Sequence, residues 1–396
     1  MNWRAVSHIL WQWSAAVSGL LLLTGCGLGL PDDEATWVLK DLAAVEKPSH
    51  LKDITPAPER QQIFYTIEDR SYQADLYIPA QPPLAALVLV PGLAEAGKND
   101  PRLKSFATTL ARVRFLVLVP DLPNLRALKV KEEDVQGLVD TFEYMQSLPQ
   151  ASNNIPSGIG AFSYAAGPAV LAALNASICE QVNFVLGVGG YYDLNQVIRF
   201  FTTGYFRRQG EWQYLEPNRY GKWVFILSNV DLLRNADDRR ILRTIAKHKL
   251  RNPEAQNDEL KKQLMPAAQV DDLEQQLTPE GESVLALIEN RDPALSQSLI
   301  AKLPAEIRAQ LEALNIASQD LSQLEAQLIL LHGTDDTIIP YTESIALSKA
   351  VPADQFELFL IDGLAHVDLH PLKLDRQAAW RAITAILAQR KNAEEE

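Results

Sequence analysis

The hydrophobic and polar positions of the chain fall into alternating runs that predict strands. Residues 62–68 and 72–78 alternate between apolar and polar side chains, and this period of two predicts a pair of half-exposed antiparallel strands. Residues 85–90 and 115–119 are instead continuous apolar runs rich in valine and leucine. Such runs are typical of parallel strands that are buried on both faces of a sheet.

Helical patterns lie between and after these runs, over residues 102–112 and 131–147. Two further apolar runs, at residues 158–163 and 182–190, continue the alternation. Strands and helices that alternate at this spacing predict an α/β fold with a mostly parallel, doubly wound sheet.

The alternation stops after residue 193 and is replaced by charged amphipathic helices. The strand pattern returns at residues 327–331 and 355–361, and a last helix is predicted over residues 375–393. We expect the insertion to form a lid, because it emerges at the carboxyl ends of the strands, where ligands bind in open α/β sheets. The alternative is a helical appendage that only stabilises the sheet edge. We therefore predict a first core segment at residues 59–193, a helical cap or lid at residues 194–325, and a second core segment at residues 326–396.

The first 25 residues have the pattern of a secretory signal peptide. Arg4 precedes an apolar run over residues 9–23, and small residues follow it. The segment Leu22-Leu-Thr-Gly-Cys26 resembles the bacterial lipobox, which implies that Cys26 is lipidated and becomes the new N-terminus. The resemblance implies a lipid-anchored protein on the extracytoplasmic side of the bacterial cell envelope, at the outer membrane or the periplasmic face. An uncleaved signal anchor over residues 9–30 is the alternative. Residues 26–58 are polar and rich in proline, and we interpret them as a tether with one short helix over about residues 36–45.

Composition narrows the classes of function. Of the 396 residues, 47% are hydrophobic and 22% are charged, as in an ordinary globular protein. The net charge of −13 argues against binding to nucleic acid, because contacts with phosphates require a basic surface. The sequence contains neither a glycine-rich dinucleotide-binding motif nor a P-loop. We therefore expect no cofactor and no nucleic-acid partner.

Ser163 is the strongest candidate for chemistry. It lies where the apolar run at residues 157–162 turns abruptly into an alanine-rich helical run, so that a strand would present the serine at its end. A serine hydroxyl becomes a nucleophile when a base lies within hydrogen-bonding distance, and histidine is the usual base. The alternative role for Ser163 is to cap the helix that begins at Tyr164.

Two later loops supply the base and a carboxylate. His366 follows the strand-like residues 356–361 and a turn, and His370 is the alternative base. His332, at the end of a strand, is expected to support the local turn. The loop from Gly333 to Pro340 contains Asp336, and the order along the chain is therefore serine, aspartate, histidine.

These three segments together resemble the α/β-hydrolase superfamily, which includes serine esterases and lipases. The resemblance covers about residues 60 to 390 apart from the insertion, which occupies the place of the family's cap between strands six and seven. It implies a catalytic triad of Ser163, His366 and Asp336, and an oxyanion hole formed by the amides of Leu93 and Tyr164.

Two features leave alternatives open. Asp335 is the near alternative for the triad acid. Asp193 is a second alternative, because some family members take the acid from the preceding strand. The other role expected for Asp193 is that of a helix N-cap. The family pattern G-x-S-x-G also has glycine where this chain has Ala161 and Ala165. Alanine is the next smallest residue, so the departure weakens the motif without removing it.

The first hypothesis is an envelope-anchored serine hydrolase that cleaves a small carboxylic ester through an acyl-enzyme on Ser163. Peptidase, thioesterase and acyltransferase activities stay open, because a fold alone does not determine chemistry. The second hypothesis is a non-catalytic envelope protein that binds a partner through its helical insertion. We predict no metal site: His366, Asp368 and His370 alternate as ligands would, but a serine mechanism already uses His366.

Overall fold

The computed structural model describes residues 30–45, 47–151, 155–250, 267–366, 368–369 and 373–390. The predicted signal peptide, Cys26 and His370 lie outside these residues. Within them, no helix is both long enough and apolar enough to cross a membrane.

Eight strands form one sheet. They are β1 (Glu59–Ile67), β2 (Arg70–Ile78), β3 (Ala85–Val90), β4 (Phe115–Pro120), β5 (Ser157–Phe162), β6 (Phe184–Val188), β9 (Gln327–Gly333) and β10 (Phe356–Ile361). Their order across the sheet is β1-β2-β4-β3-β5-β6-β9-β10. The β1–β2 and β2–β4 pairs are antiparallel and the other pairs are parallel. This is the strand order of the α/β-hydrolase fold, so the predicted fold class is confirmed.

Both faces of the central strands are covered by helices, and this explains their continuous apolar sequences. Leu87 and Leu89 of β3 belong to one buried cluster, whereas Val88 and Val90 belong to the other, as expected from side chains that alternate between the faces of a sheet. The first face is packed against α1 (Glu34–Ala44), α3 (Pro101–Arg112) and α15 (Arg376–Leu387), and the second against α5 (Glu132–Ser147) and α6 (Ala166–Ala173).

The segment predicted as a tether differs from a free linker. The segment contains α1 and the short helix α2 (His50–Ile54), and Val38 and Leu51 are fully buried against the first face of the sheet. The Asp33 side chain caps α1 and also accepts a hydrogen bond from the Trp380 indole of α15 at 3.0 Å. Apolar burial of α1 and α2 therefore attaches this segment to the core.

The chain between β6 and β9 contains most of the remaining helices. These are α7 (Leu194–Thr203), α8 (Tyr220–Asn229), α9 (Ala236–Leu250), α10 (Ala267–Glu274), α11 (Pro279–Glu289), α12 (Ser296–Ala301) and α13 (Ala305–Leu314). The sequence pattern did not predict the hairpin of β7 (Tyr205–Arg208) and β8 (Glu211–Tyr214), because these strands are short and β8 is exposed on every residue. Tyr191, just after β6, donates a hydrogen bond to the Leu314 carbonyl at 2.9 Å, which holds α13 against the carboxyl end of the sheet. The division into core and lid stays a prediction.

Candidate active site

Ser163 lies at a sharp turn between β5 and α6. Its backbone φ is +56°, in the left-handed region that costs a residue with a side chain about 1–2 kcal/mol. Such conformations persist where the surrounding structure enforces them, and they are frequent at functional sites. Here β5 lies between two parallel neighbours, and the buried residues of α6 follow the turn directly. The serine is thereby presented at the carboxyl end of the sheet.

Small residues make the turn possible, although not all at the positions of the family pattern. Ala161 and Ala165 are fully buried, so their methyl groups are accommodated. Two glycines also make close contacts here. A methyl group on Gly92 would lie 3.1 Å from the Ser163 Cβ, and one on Gly167 would lie 2.0 Å from the Tyr191 hydroxyl oxygen. Close packing around the serine therefore depends on Gly92 and Gly167.

A hydrogen-bonded chain connects the three predicted triad residues. The Ser163 Oγ lies 2.7 Å from His366 Nε2, and His366 Nδ1 lies 2.7 Å from Asp336 Oδ2. The serine hydroxyl can donate to Nε2 only when the proton of the neutral imidazole is on Nδ1, where Asp336 accepts it. This is the tautomer in which histidine can act as a base toward serine.

The Asp336 carboxylate is almost completely buried and accepts several hydrogen bonds. Its Oδ1 accepts from the amides of Ile338 at 2.7 Å and Ile339 at 3.0 Å, and its Oδ2 lies 3.3 Å from His332 Nε2. Burial alone would raise the pKa of Asp336, but the neighbouring His366 and the hydrogen bonds hold this pKa below its usual value. Asp336 is therefore an anion at neutral pH.

The two alternative acids are placed differently. The Asp193 side chain accepts from the Asn195 amide at 2.9 Å and caps α7. Asp335 leaves one buried carboxylate oxygen without a partner among the described residues. In the described part of the chain, His366 is hydrogen-bonded to neither of them, and its acidic partner is Asp336.

Leu93 and Tyr164, the predicted oxyanion-hole residues, flank the serine on two sides. Tyr164 follows Ser163 directly, and Leu93 follows Gly92, which approaches the serine as described above. The Leu93 carbonyl accepts a hydrogen bond from the Tyr220 hydroxyl at 3.2 Å. Within the described residues, the Leu93 amide donates to no other group.

Three polar residues lie behind the triad; His332 was expected to support the local turn, whereas Ser344 and Glu343 were not anticipated. His332 Nδ1 lies 2.7 Å from Ser344 Oγ, and His332 Nε2 lies 3.0 Å from the Ile339 carbonyl oxygen. Because that carbonyl and Asp336 Oδ2 both accept hydrogen bonds, the His332 proton lies on Nε2. Glu343, the neighbour of Ser344, accepts from the amides of Tyr192 at 3.1 Å and Asp193 at 2.8 Å. Glu343 and Ser344 lie in a polar helix, α14 (Thr342–Lys349), whose sequence has no motif that would have identified them.

Known proteins resemble this chain only in structure. No family model and no curated protein matches its sequence. An acylaminoacyl peptidase of Pyrococcus horikoshii is 11% identical over 87% of this chain and 44% of its own, with a TM-score of 0.48. An esterase of Pyrococcus furiosus is 12% identical over 90% and 95%, with a TM-score of 0.46. A dienelactone hydrolase of Anabaena variabilis is 18% identical over 34% and 65%, with a TM-score of 0.29. The chain thus spans less than two thirds of the length of the peptidase and of the dienelactone hydrolase.

Proposed function

We propose that this protein is a serine hydrolase that cleaves a small carboxylic ester, with Ser163 as the nucleophile. The observation that supports this proposal most directly is the hydrogen-bonded chain from Asp336 through His366 to Ser163. It coincides with a strained backbone at Ser163. A serine that only capped a helix would require neither the imidazole nor the strain.

In the proposed reaction, the Ser163 Oγ attacks the ester carbonyl carbon while His366 Nε2 removes the hydroxyl proton. The amides of Leu93 and Tyr164 donate hydrogen bonds to the oxyanion that forms on the carbonyl oxygen. The bond from carbon to the alcohol oxygen then breaks, and His366 returns the proton to the leaving alcohol. Water deprotonated by His366 next attacks the acyl-enzyme, the carboxylic acid leaves, and the serine recovers its proton.

Asp336 orients the imidazole and stabilises its protonated form in both half-reactions. Its anionic state is favoured by two backbone amides and by His332, so it stays ionised while the proton moves between Ser163 and His366.

Labelling with a fluorophosphonate tests the proposal. The wild-type protein is expected to be labelled on Ser163 and to hydrolyse a p-nitrophenyl ester, because the phosphonyl group and the ester both require an activated serine. Ser163→Ala is expected to lose both signals, whereas Ser344→Ala, at another buried serine, keeps the labelling site. Equal labelling of wild type and Ser163→Ala would falsify the assignment. Absence of labelling in a folded wild type would favour a non-catalytic partner-binding protein instead.

We further propose that the hydrolase is anchored to the bacterial cell envelope by a lipid on Cys26. The support is the lipobox-like segment at residues 22–26. Expression with an alkyne fatty acid should label the wild type and place it in the membrane fraction, and Cys26→Ser should abolish the label. If Cys26→Ser stays in the membrane fraction and the wild type carries no label, an uncleaved signal anchor is the better explanation.

A further inference from the structure

A small, mostly apolar cavity of about 60 Å³ is lined by Leu93 and Tyr164, the predicted oxyanion-hole residues next to Gly92 and Ser163. Most of the remaining lining belongs to the insertion and is apolar, with Val197 and Phe201 of α7 and Val224 and Phe225 of α8. Three polar residues also line it, namely Ser228, Asn229 and Gln310. The cavity thus shares two lining residues with the surroundings of the candidate nucleophile.

A larger cleft lies on the other side of the same wall. It has a volume of about 490 Å³ and is lined by the start of α7 together with α12 and α13, including Asn195, Ile300 and Arg308. Leu194 and Leu311 line both the cavity and the cleft. These two leucines therefore form the partition between the apolar cavity and the outer cleft.

The volume of the inner cavity limits what it can hold. One water-sized group requires roughly 10–15 Å³ measured in this way, so the cavity has room for about four to six such groups. A cavity with apolar walls gains most from an apolar occupant, because burying a methylene group removes apolar surface from water. A short unbranched hydrocarbon chain fits both conditions.

We propose that this cavity binds the acyl chain of the ester and that Leu194 and Leu311 set the upper limit of its length. The inference rests on the proposed function, since it takes Ser163 as the point of acyl attachment. Acyl groups of about four to six carbons fill the cavity, and longer chains meet the two leucines. Truncating either leucine joins the cavity to the outer cleft, so that a longer chain can continue into it.

The test compares p-nitrophenyl esters of two, four, eight and ten carbons. For the wild type we expect kcat/KM to be highest at four carbons and at least tenfold lower at eight. In Leu311→Ala the ratio of kcat/KM for eight carbons to that for four should rise at least tenfold, and Leu194→Ala should act in the same direction. Ile300→Ala is the matched control, because Ile300 lines only the outer cleft. Its ratio should stay within about twofold of the wild type.

Thermal melts establish that each variant is folded before its rates are compared. The inference is overturned if the wild type hydrolyses eight-carbon and four-carbon esters equally well. It is also overturned if both leucine variants fold and keep the wild-type ratio. These results leave the proposed function intact. A wild type that hydrolyses no ester and reacts with no fluorophosphonate overturns the proposed function as well.

Discussion

Glu343 offers a quantitative test of the structure, because it is a buried acid beside the active site. Its side chain is 3% exposed, and its Oε2 accepts hydrogen bonds from the amides of Tyr192 and Asp193. Burial raises the pKa of Glu343 from 4.5 to about 8, and the charge of Asp193 adds to this effect, whereas the two backbone amides and Arg199 oppose it. At pH 6 the native protein thus holds Glu343 as a neutral acid.

The free energy of unfolding depends on pH because the Glu343 carboxyl binds a proton more tightly in the native state than in the unfolded state. Below pH 4.5 the carboxyl group is protonated in both the native and the unfolded state. Between pH 4.5 and about 8 the native state binds one proton more, so the free energy of unfolding falls as pH rises. The fall is at most about 1.4 kcal/mol per pH unit, which gives about 2–3 kcal/mol between pH 5.5 and 7.5.

Glu343→Gln removes this titration while keeping an oxygen for the two amides. We expect the variant to match the wild type only near or below pH 4.5, and its excess in free energy of unfolding to grow by about 2–3 kcal/mol between pH 5.5 and 7.5. Urea denaturation followed by circular dichroism at four or five pH values measures this difference. Glu357→Gln, at an exposed position of β10, is the control and should follow the wild type. Parallel curves for Glu343→Gln and the wild type would refute the assignment of a neutral buried acid.

Three further predictions concern the triad and its surroundings. Asp336→Asn should lower kcat/KM by about 10³–10⁴-fold, because the imidazole loses its orienting anion. Asp193→Asn should lower kcat/KM little. A large loss only in Asp193→Asn would show that Asp193, and not Asp336, is the triad acid. His332→Phe should lower kcat about tenfold and the free energy of unfolding by about 1–3 kcal/mol, because it leaves Ser344 and the Ile339 carbonyl unpaired. An unchanged kcat in the folded variant would count against a role of His332 in positioning Asp336. Gly167→Ala should reduce the free energy of unfolding by about 1–3 kcal/mol, since the new methyl group overlaps Tyr191; an unchanged urea midpoint would contradict the packing.

The pattern of apolar residues predicted the sheet well because its strands are buried on both faces. Residues 85–90 were expected as a strand and are β3, with all six residues buried. The order of Ser163, Asp336 and His366 along the chain, together with the resemblance to α/β-hydrolases, also suggested which side chains meet, although Asp335 and Asp193 stayed open as alternative acids. Where the pattern was weaker, the cause is physical: a short helix was expected over about residues 36–45 and α1 forms there, but the burial of its apolar side against the core depends on contacts with distant segments.

Residues behind the active site could not be predicted, because their roles depend on contacts between distant segments. Glu343 and the turn at Tyr192 are about 150 positions apart in sequence, yet they are joined by hydrogen bonds. His332 follows the residues of β9 that pair with β6, and its significance depends on a serine of α14 that no local motif identifies. A sequence states which residue types are present but not which of them share a buried space.

Helix α14 is hydrogen-bonded both to His332 behind the triad and to the turn at Tyr192 and Asp193. Ser344 is hydrogen-bonded to His332, which reaches Asp336, while the adjacent Glu343 holds the backbone at Tyr192 and Asp193. The turn that Glu343 holds continues directly into Leu194, one of the two leucines between the cavity and the outer cleft. Ionisation of Glu343 would place a second negative charge beside Asp193 at this turn, and like charges at close range repel. The position of Leu194 is therefore expected to respond to pH above about 8, so the preference for acyl length should be weaker there in the wild type than in Glu343→Gln.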